Sequence, residues 1–88
     1  MEVFVMMMKL ADTVSDMTSD DYKERFRAEY TQLALRLSGL RSMLYKYENG
    51  TLTFAPECSI DLLKRQANVM TNYLAILDER AHKENIHL

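Results

Sequence analysis

The chain is short and nearly neutral, and these two properties already exclude several classes of protein. Its 88 residues suit one domain at most, and a domain of this size buries only a modest fraction of its surface when it folds alone. A count of 11 Lys and Arg against 13 Asp and Glu gives a formal charge of -2, which disfavours binding to duplex nucleic acid. Because Cys58 is the only cysteine, no internal disulfide can stabilise the fold, and a reducing, cytoplasmic compartment is expected.

The N-terminal stretch is apolar but short. Residues 3–8 have no basic region before them and no small-residue cleavage site after them, so we expect neither a signal peptide nor a membrane span. Four positions can share one side of a short helix that docks on the rest of the protein: Val3, Met6 or Met7, Leu10 and Val14. We therefore divide the chain into an apolar N-terminal segment, residues 1–17, and a helical hairpin domain, residues 18–88.

A long first helix is predicted from a heptad pattern. Its apolar positions alternate spacings of four and three, and they are Phe26, Tyr30, Leu33, Leu37, Leu40, Leu44 and Tyr47. Thr18 or Ser19 can cap the start of this helix, and the pair Asn49 and Gly50 offers the left-handed conformation that commonly ends one. Both tyrosines of the pattern, Tyr30 and Tyr47, are expected in the core.

A second helix follows with the same alternation of spacings. Its apolar positions are Ile60, Leu63, Ala67, Met70, Leu74, Leu77 and Ala81, with Ser59 as the predicted N-cap. The two helices should fold back on each other as an antiparallel hairpin. Residues 51–54 alternate like a strand, but a lone strand is marginal, so we expect an ordered loop in which Leu52 and Phe54 cover the end of the hairpin.

Both helices carry more apolar surface than one seam can hide. On the second helix the excess is Leu62, Val69, Tyr73 and Ile76, and on the first it is Ala34, Leu35 and Met43. A two-helix hairpin cannot bury two faces per helix, so the all-α fold is expected to assemble as a homo-oligomer. Gly39 in mid-helix either allows another backbone to approach closely or is a surface glycine without a special role.

Catalytic and cofactor motifs are not recognisable in the sequence. The only histidines, His82 and His87, lie near the C-terminus, and Cys58 has no basic neighbour in the sequence, so we predict no enzyme and no catalytic residue. Asp78 and His82 are four apart, but this pair lacks the spacing of known zinc motifs and is better explained as a polar helix end. Two glycines cannot form a glycine-rich phosphate loop. No cofactor and no metal are predicted.

Positive and aromatic side chains at helix ends and on helix flanks are the remaining candidates for ligand binding. Arginine offers a planar fork to phosphate, and tyrosine offers a face to a base. The candidates are Arg80, Tyr45, Lys46, Arg41, Lys64, Arg65, Tyr73, Tyr22 and Lys23. Taken singly, each is more often a solvated charge or a packing aromatic. If Tyr47 points inward, Tyr45 and Lys46 stay free to contact a ligand or a neighbouring subunit.

From about Asp21 to the C-terminus the chain resembles a family of small phage proteins related to a protein of crAss-like phage. The similarity is carried by "YKERFRAEY" at the start of the first helix, "LYKYENGTLTFAPECSIDLLKRQ" around the turn and "MTNYLAILDERAHKENIHL" at the end. More remotely, this family is similar to the helical hairpin of phage sponges that counter CBASS and Thoeris defence. The resemblance implies oligomers that capture cyclic nucleotide signals at subunit interfaces without cleaving them.

The resemblance also singles out Arg80, in the segment "ILDERA", as the first candidate for a phosphate contact. The alternative role of Arg80 is an ion pair with Glu84, four residues further on. The leading hypothesis is therefore a phage anti-defence sponge, active in the cytoplasm of an infected bacterium, that binds a small nucleotide signal and neither duplex nucleic acid nor membrane. One alternative is a helical module that inhibits or adapts a host protein. Another is a metal-dependent enzyme that uses Asp78 and His82.

Overall fold

The computed structural model describes residues 8–88, and every regular element in this range is a helix. A 3₁₀ helix, Leu10–Thr13, leads directly into the short helix α1, Val14–Met17. Two long helices follow, α2 at Tyr22–Glu48 and α3 at Ile60–Lys83. The all-α prediction is confirmed, since no residue of this range lies in a strand. None of the helices in the described range combines the length and the apolar character needed to cross a membrane.

Helices α2 and α3 run in opposite directions and contact each other along their length. At the loop end, the Lys64 ammonium lies 3.4 Å from the Glu48 carboxylate. At the other end, which we call the open end, the Tyr22 hydroxyl at the start of α2 hydrogen-bonds to Glu84, just after α3. These two contacts give the arrangement an antiparallel hairpin geometry, as the two heptad patterns predict.

The seam between α2 and α3 contains two groups of buried side chains. The group towards the open end is Phe26, Tyr30, Leu33, Leu77, Ala81 and Ile86, and the group towards the loop is Leu37, Leu44 and Ala67. Most of these residues occupy the heptad positions of the sequence, because a spacing of 3.5 residues keeps one stripe facing the partner helix. The periodicity therefore identified the main hydrophobic core.

Tyr47 is an exception, and the prediction that it lies in the core is wrong. It is 48% exposed, whereas Tyr30 is 6% exposed. Tyr47 lies in the last turn of α2, next to the irregular loop from Asn49 to Ser59. It shares a shallow surface groove with residues of this loop, so it is not enclosed in the seam between the two long helices.

The helix ends confirm two predicted caps and correct one. The Ser59 hydroxyl accepts a hydrogen bond from the Leu62 amide at 3.1 Å, and Gly50 adopts φ of 69° directly after the end of α2. The N-cap of α2, however, is Asp21, whose carboxylate accepts from the Lys23 amide at 2.9 Å. Neither Thr18 nor Ser19 caps α2, because their amides still bond back to the carbonyls of α1.

The N-terminal segment docks on α2, but through different side chains from those expected. Thr13 is buried and its hydroxyl accepts a hydrogen bond from the Gln32 side-chain amide at 2.8 Å. Leu10 and Val14, predicted to face the core, are instead largely exposed. The 3₁₀ start of the segment changes its rotation relative to an α-helix, and this turns the polar threonine inward. The remaining predicted contacts, Val3, Met6 and Met7, lie outside the described residues, and the division at residue 17 stays a prediction.

The loop between the long helices is irregular, and it covers the hairpin end only in part. Leu52 is half-buried, as expected. Phe54 was expected to cover the same end but is 57% exposed. It lines a shallow groove of the loop together with Tyr47 and Pro56, so that three apolar side chains of this region stay accessible to solvent.

Candidate functional site

Four side chains form a connected cluster at the open end of the hairpin, which we call the terminal cluster: Tyr22, Phe26, Arg80 and Glu84. Tyr22 and Phe26 are one turn apart at the start of α2, and their rings meet edge to face at a centroid distance of 6.4 Å. Arg80 and Glu84 are one turn apart at the end of α3. The antiparallel hairpin therefore brings together residues separated by about 60 positions in sequence.

Arg80 is the centre of this cluster. Its guanidinium carbon lies 4.9 Å from the centroid of the Phe26 ring, within the range of a cation–π contact. The guanidinium donates from Nε to the Glu84 carboxylate at 2.9 Å and from Nη2 to the Tyr22 hydroxyl at 3.1 Å. The ion pair with Glu84, one of the two roles predicted for Arg80, is thus present, and the phosphate contact stays a prediction.

The electrostatics of the cluster follow from these hydrogen bonds. The hydrogen bond from Tyr22, followed by the one from Arg80, lowers the pKa of the Glu84 carboxyl below its ordinary value. The same bond raises the pKa of the Tyr22 hydroxyl, because ionising it would place a second negative charge beside the carboxylate. The hydrogen bond to Glu84 also raises the pKa of Arg80. At neutral pH the cluster therefore consists of a cation, a carboxylate and a neutral phenol.

The C-terminal tail that follows α3 helps to hold the terminal cluster in place. Asn85 adopts a left-handed conformation with φ of 56°, and the Ile86 amide then donates to the Ala81 carbonyl at 2.8 Å, which closes the end of α3. Ile86 is buried in the core. The Arg27 side chain donates from Nε to the His87 carbonyl at 2.7 Å, so α2 holds the tail in place.

Of the nine predicted ligand residues, the fold brings three to the open end. Tyr22 and Arg80 belong to the terminal cluster, and the Lys23 ammonium lies 3.5 Å from the Asn85 carbonyl beside it. An arginine with unused N–H donors, a tyrosine and a lysine within one small area can bind a phosphate and contact a base. This arrangement makes the open end the candidate site.

The other six candidates are spread along the hairpin, whose longest dimension is 43 Å. Arg41 donates to the Thr71 hydroxyl at 2.7 Å, and Lys64 pairs with Glu48. Tyr45 and Lys46 lie exposed at the loop end, as predicted, and Arg65 is exposed on α3. Tyr73 hydrogen-bonds to Glu29 across the helices. Within one chain, these six residues therefore do not come together with the terminal cluster.

A second concave region, the lateral groove, runs beside α2 and was missed by sequence reasoning. It is lined by Met17, Arg25, Ala28, Glu29, Gln32, Leu33, Arg36 and Tyr73. The polar members Arg25, Glu29, Gln32 and Arg36 are spaced by four, three and four residues, so the helical period could have revealed their common face. Glu29 accepts a hydrogen bond from the Tyr73 hydroxyl, and Arg25 donates one to the Ser19 carbonyl. These two groove residues therefore already take part in contacts that hold the fold together.

The apolar excess of α3 is exposed, as the heptad analysis predicted. We call Leu62, Val69, Tyr73 and Ile76 the α3 stripe. All four are among the large apolar side chains that the folded chain leaves accessible. On α2 the corresponding residues differ, because Ala34 and Leu35 pack partly against the core and Met43 is half-buried. Among residues 8–88, apart from its chain neighbours and the adjacent helix backbone, no atom lies within 4 Å of the position that a Cβ at Gly39 would occupy.

Asp78 and His82, which we expect to form a polar helix end rather than a metal site, gain no third ligand in the described part of the fold. Asp78 and His82 are both exposed on α3. Within residues 8–88, no three His, Cys, Asp or Glu side chains are grouped closely enough to hold a metal ion.

Comparison with known proteins places the chain in a family. The family model named Sequestin matches residues 20–83, which is most of the chain and contains both long helices. The chain belongs to the Sequestin family. No curated protein and no solved structure matches it. Membership of a family named for sequestration agrees with the resemblance to nucleotide sponges that the sequence motifs carry.

Proposed function

We propose that this Sequestin protein is a phage anti-defence sponge that binds a cyclic nucleotide immune signal and holds it without cleaving it. The observation that carries the proposal is the Sequestin match over residues 20–83, since the family name points to sequestering rather than turnover. The signal is a cyclic oligonucleotide or a relative of cyclic ADP-ribose. The protein acts as a homo-oligomer in the cytoplasm of the infected bacterium, and the candidate residues of neighbouring copies line its pockets.

The terminal cluster supports this proposal because it has the groups that a nucleotide needs. Arg80 offers up to five N–H donors, of which two are used by Glu84 and Tyr22. Within the described residues the Glu84 carboxylate accepts from Nε alone, but its negative charge beside the guanidinium opposes the binding of an anionic ligand. Tyr22 is 44% exposed and offers aromatic surface beside the cation, whereas Phe26 is buried and supports the guanidinium from the core side. We propose Arg80 as the main phosphate contact on these grounds.

Equilibrium binding to a panel of cyclic oligonucleotides and cyclic ADP-ribose relatives tests the proposal. The full chain is incubated with each compound, and the compound is measured in the filtrate and again after the protein is denatured. Retention of at least one compound, followed by its release unchanged, is the expected result. Full recovery of every compound in the filtrate would refute sequestration, and recovery of a cleaved product would refute a non-enzymatic sponge.

Two variants and a matched control then test the role of Arg80. Arg80→Ala should weaken binding at least tenfold, because a charge-assisted contact to phosphate is lost. Glu84→Gln should tighten binding, because the competing carboxylate charge is removed. Lys83→Ala, which removes a cation from the same turn of α3 but outside the cluster, is the control and should change binding little. Equal losses for Arg80→Ala and Lys83→Ala would show that only general charge matters.

The α3 stripe favours a second candidate function, a helical module that inhibits or adapts a host protein. An exposed apolar helix face is what such a module lays on its partner. This function predicts a monomer that captures one defined host protein through the stripe and retains no nucleotide. Loss of that capture in Val69→Glu, with nucleotide binding absent throughout, would favour it over the sponge.

A further inference from the structure

The α3 stripe continues a regular pattern along the whole helix. Leu62, Gln66, Val69, Tyr73, Ile76 and Arg80 follow one another at spacings of four, three, four, three and four residues. At 100° per residue these positions form a single strip, about 100° around α3 from the strip that faces α2. Helix α3 thus carries two heptad seams, and the hairpin uses one of them.

The second seam has the shape and exposure of an unfilled helix-packing surface. Val69, near its centre, is 67% exposed, and Ile76 is 56% exposed. A shallow groove beside them is lined by Leu62, Arg65, Gln66, Val69 and Met70. Side chains from a facing helix fit such grooves in knobs-into-holes packing.

We propose that this seam is where two copies of the chain pair, with α3 packed antiparallel against α3 about a twofold axis near residue 71. In this register Val69 of one copy lies opposite Tyr73 of the other, and Gln66 lies opposite Ile76. A twofold contact uses the same surface on both copies, so every pair occurs twice. The groove lined by Leu62, Gln66 and Val69 then receives the Tyr73 and Ile76 side chains of the other copy.

Charged residues at the edge of the seam favour a second copy of the chain as the partner. They also favour antiparallel over parallel pairing. Arg65 and Glu79 lie on the same edge, 14 residues apart on either side of the axis. Antiparallel pairing therefore places Arg65 of each copy near Glu79 of the other, which gives two attractive pairs. In a parallel pairing in register, the matching edges of the two copies would lie on opposite sides of the seam, so Arg65 and Glu79 would form no pair across it. The surface is self-complementary in only one of these directions.

The pairing also adds to the terminal cluster. Because residues 65 and 80 are nearly symmetric about the axis, Arg65 of one copy lies within about one helical turn of Arg80 of the other. Two candidate arginines that one chain keeps four turns apart would then flank the same ligand. This consequence depends on the proposed function, whereas the pairing itself does not.

Sedimentation of the full chain without nucleotide tests the pairing. The wild type should dimerise, and Arg65→Glu or Glu79→Arg should each weaken the dimer about tenfold, since both symmetric pairs become repulsive. The double variant Arg65→Glu/Glu79→Arg should recover to within about threefold of the wild type. A double variant that dimerises as weakly as the single variants would overturn the proposed register.

A matched pair of apolar variants tests the surface itself. Ile76→Glu should weaken the dimer at least about 100-fold, because a charge would be buried in the seam. Phe54→Glu alters an equally exposed side chain in the loop and should leave the dimer intact. Circular dichroism confirms that both variants keep their helices. Equal effects, or a wild type that is monomeric at roughly 0.1 mM, would overturn the proposal.

These outcomes separate the pairing from the proposed function. A dimer that responds to the charge swap but retains no nucleotide supports the pairing and refutes the sponge. A protein that retains nucleotide while Ile76→Glu leaves its assembly unchanged refutes the pairing and leaves the sponge standing.

Discussion

Truncating the two seam tyrosines of α2 distinguishes the folded structure from the heptad pattern. Tyr30 and Tyr47 occupy equivalent positions in that pattern, so periodicity alone predicts equal losses of stability when either becomes alanine. The structure predicts unequal losses, because Tyr30 is 6% exposed and Tyr47 is 48% exposed.

The magnitudes follow from these exposures. A large aromatic residue in a core costs about 3–5 kcal/mol of unfolding free energy when truncated to alanine, which includes the cavity left behind. Tyr30, almost fully buried beside Phe26 and Leu77, should cost about 4 kcal/mol. Tyr47 buries about half of its surface and leaves no closed cavity, so about 1–2 kcal/mol is expected.

Urea unfolding followed by circular dichroism measures this difference. The protein concentration is held constant across variants, because self-association would stabilise the folded state by mass action. A gap of about 2–3 kcal/mol corresponds to a difference in Tm of roughly 10–20 °C for a domain of this size. Equal losses for Tyr30→Ala and Tyr47→Ala would show that Tyr47 is buried in solution and would refute the reasoning.

Three further outcomes can be measured by the same unfolding assay. Ser59→Ala should cost about 1 kcal/mol, because the Leu62 amide loses its cap, and Ser59→Asp should retain most of the stability. Asn85→Gly should stabilise the chain by up to about 1 kcal/mol, since its φ of 56° suits glycine better; a loss would mean that the asparagine side chain contributes at this position. Stability should fall below the ordinary pKa of Glu84, whose folded pKa is lowered, as pH drops through that folded value. It should also fall above the ordinary pKa of Tyr22, whose folded pKa is raised, and Glu84→Gln together with Tyr22→Phe should flatten both limbs of the profile.

Much of the helical framework could be predicted from the sequence because its determinants are local. The heptad spacings of α2 and α3 place one stripe of each helix in the core, and Ser59 and Gly50 mark helix ends through contacts with their immediate neighbours. The exposure of the α3 stripe was predictable for the same reason. A helix that carries a second apolar face needs a second surface to bury it.

Local patterns failed where the outcome depends on what lies opposite. Tyr47 is exposed because it lies against the irregular loop at the edge of a surface groove, and Thr13 is buried because the segment starts as a 3₁₀ helix. The start of α2 moved to Asp21 because Thr18 and Ser19 complete the preceding short helix. In each case several residues can serve the same local role, and packing selects among them.

The candidate site shows the same division. Sequence reasoning named Arg80 and Tyr22 and identified Glu84 as a partner of Arg80, because residues four apart on a helix are neighbours. That Tyr22 and Phe26 join them was decided by the hairpin, which brings the start of α2 to the end of α3. The sequence by itself determined which residues are helical and which faces are apolar, since these depend on spacing along the chain. Only the tertiary structure decided which charges and rings meet, because such contacts depend on where helices end and how they pack.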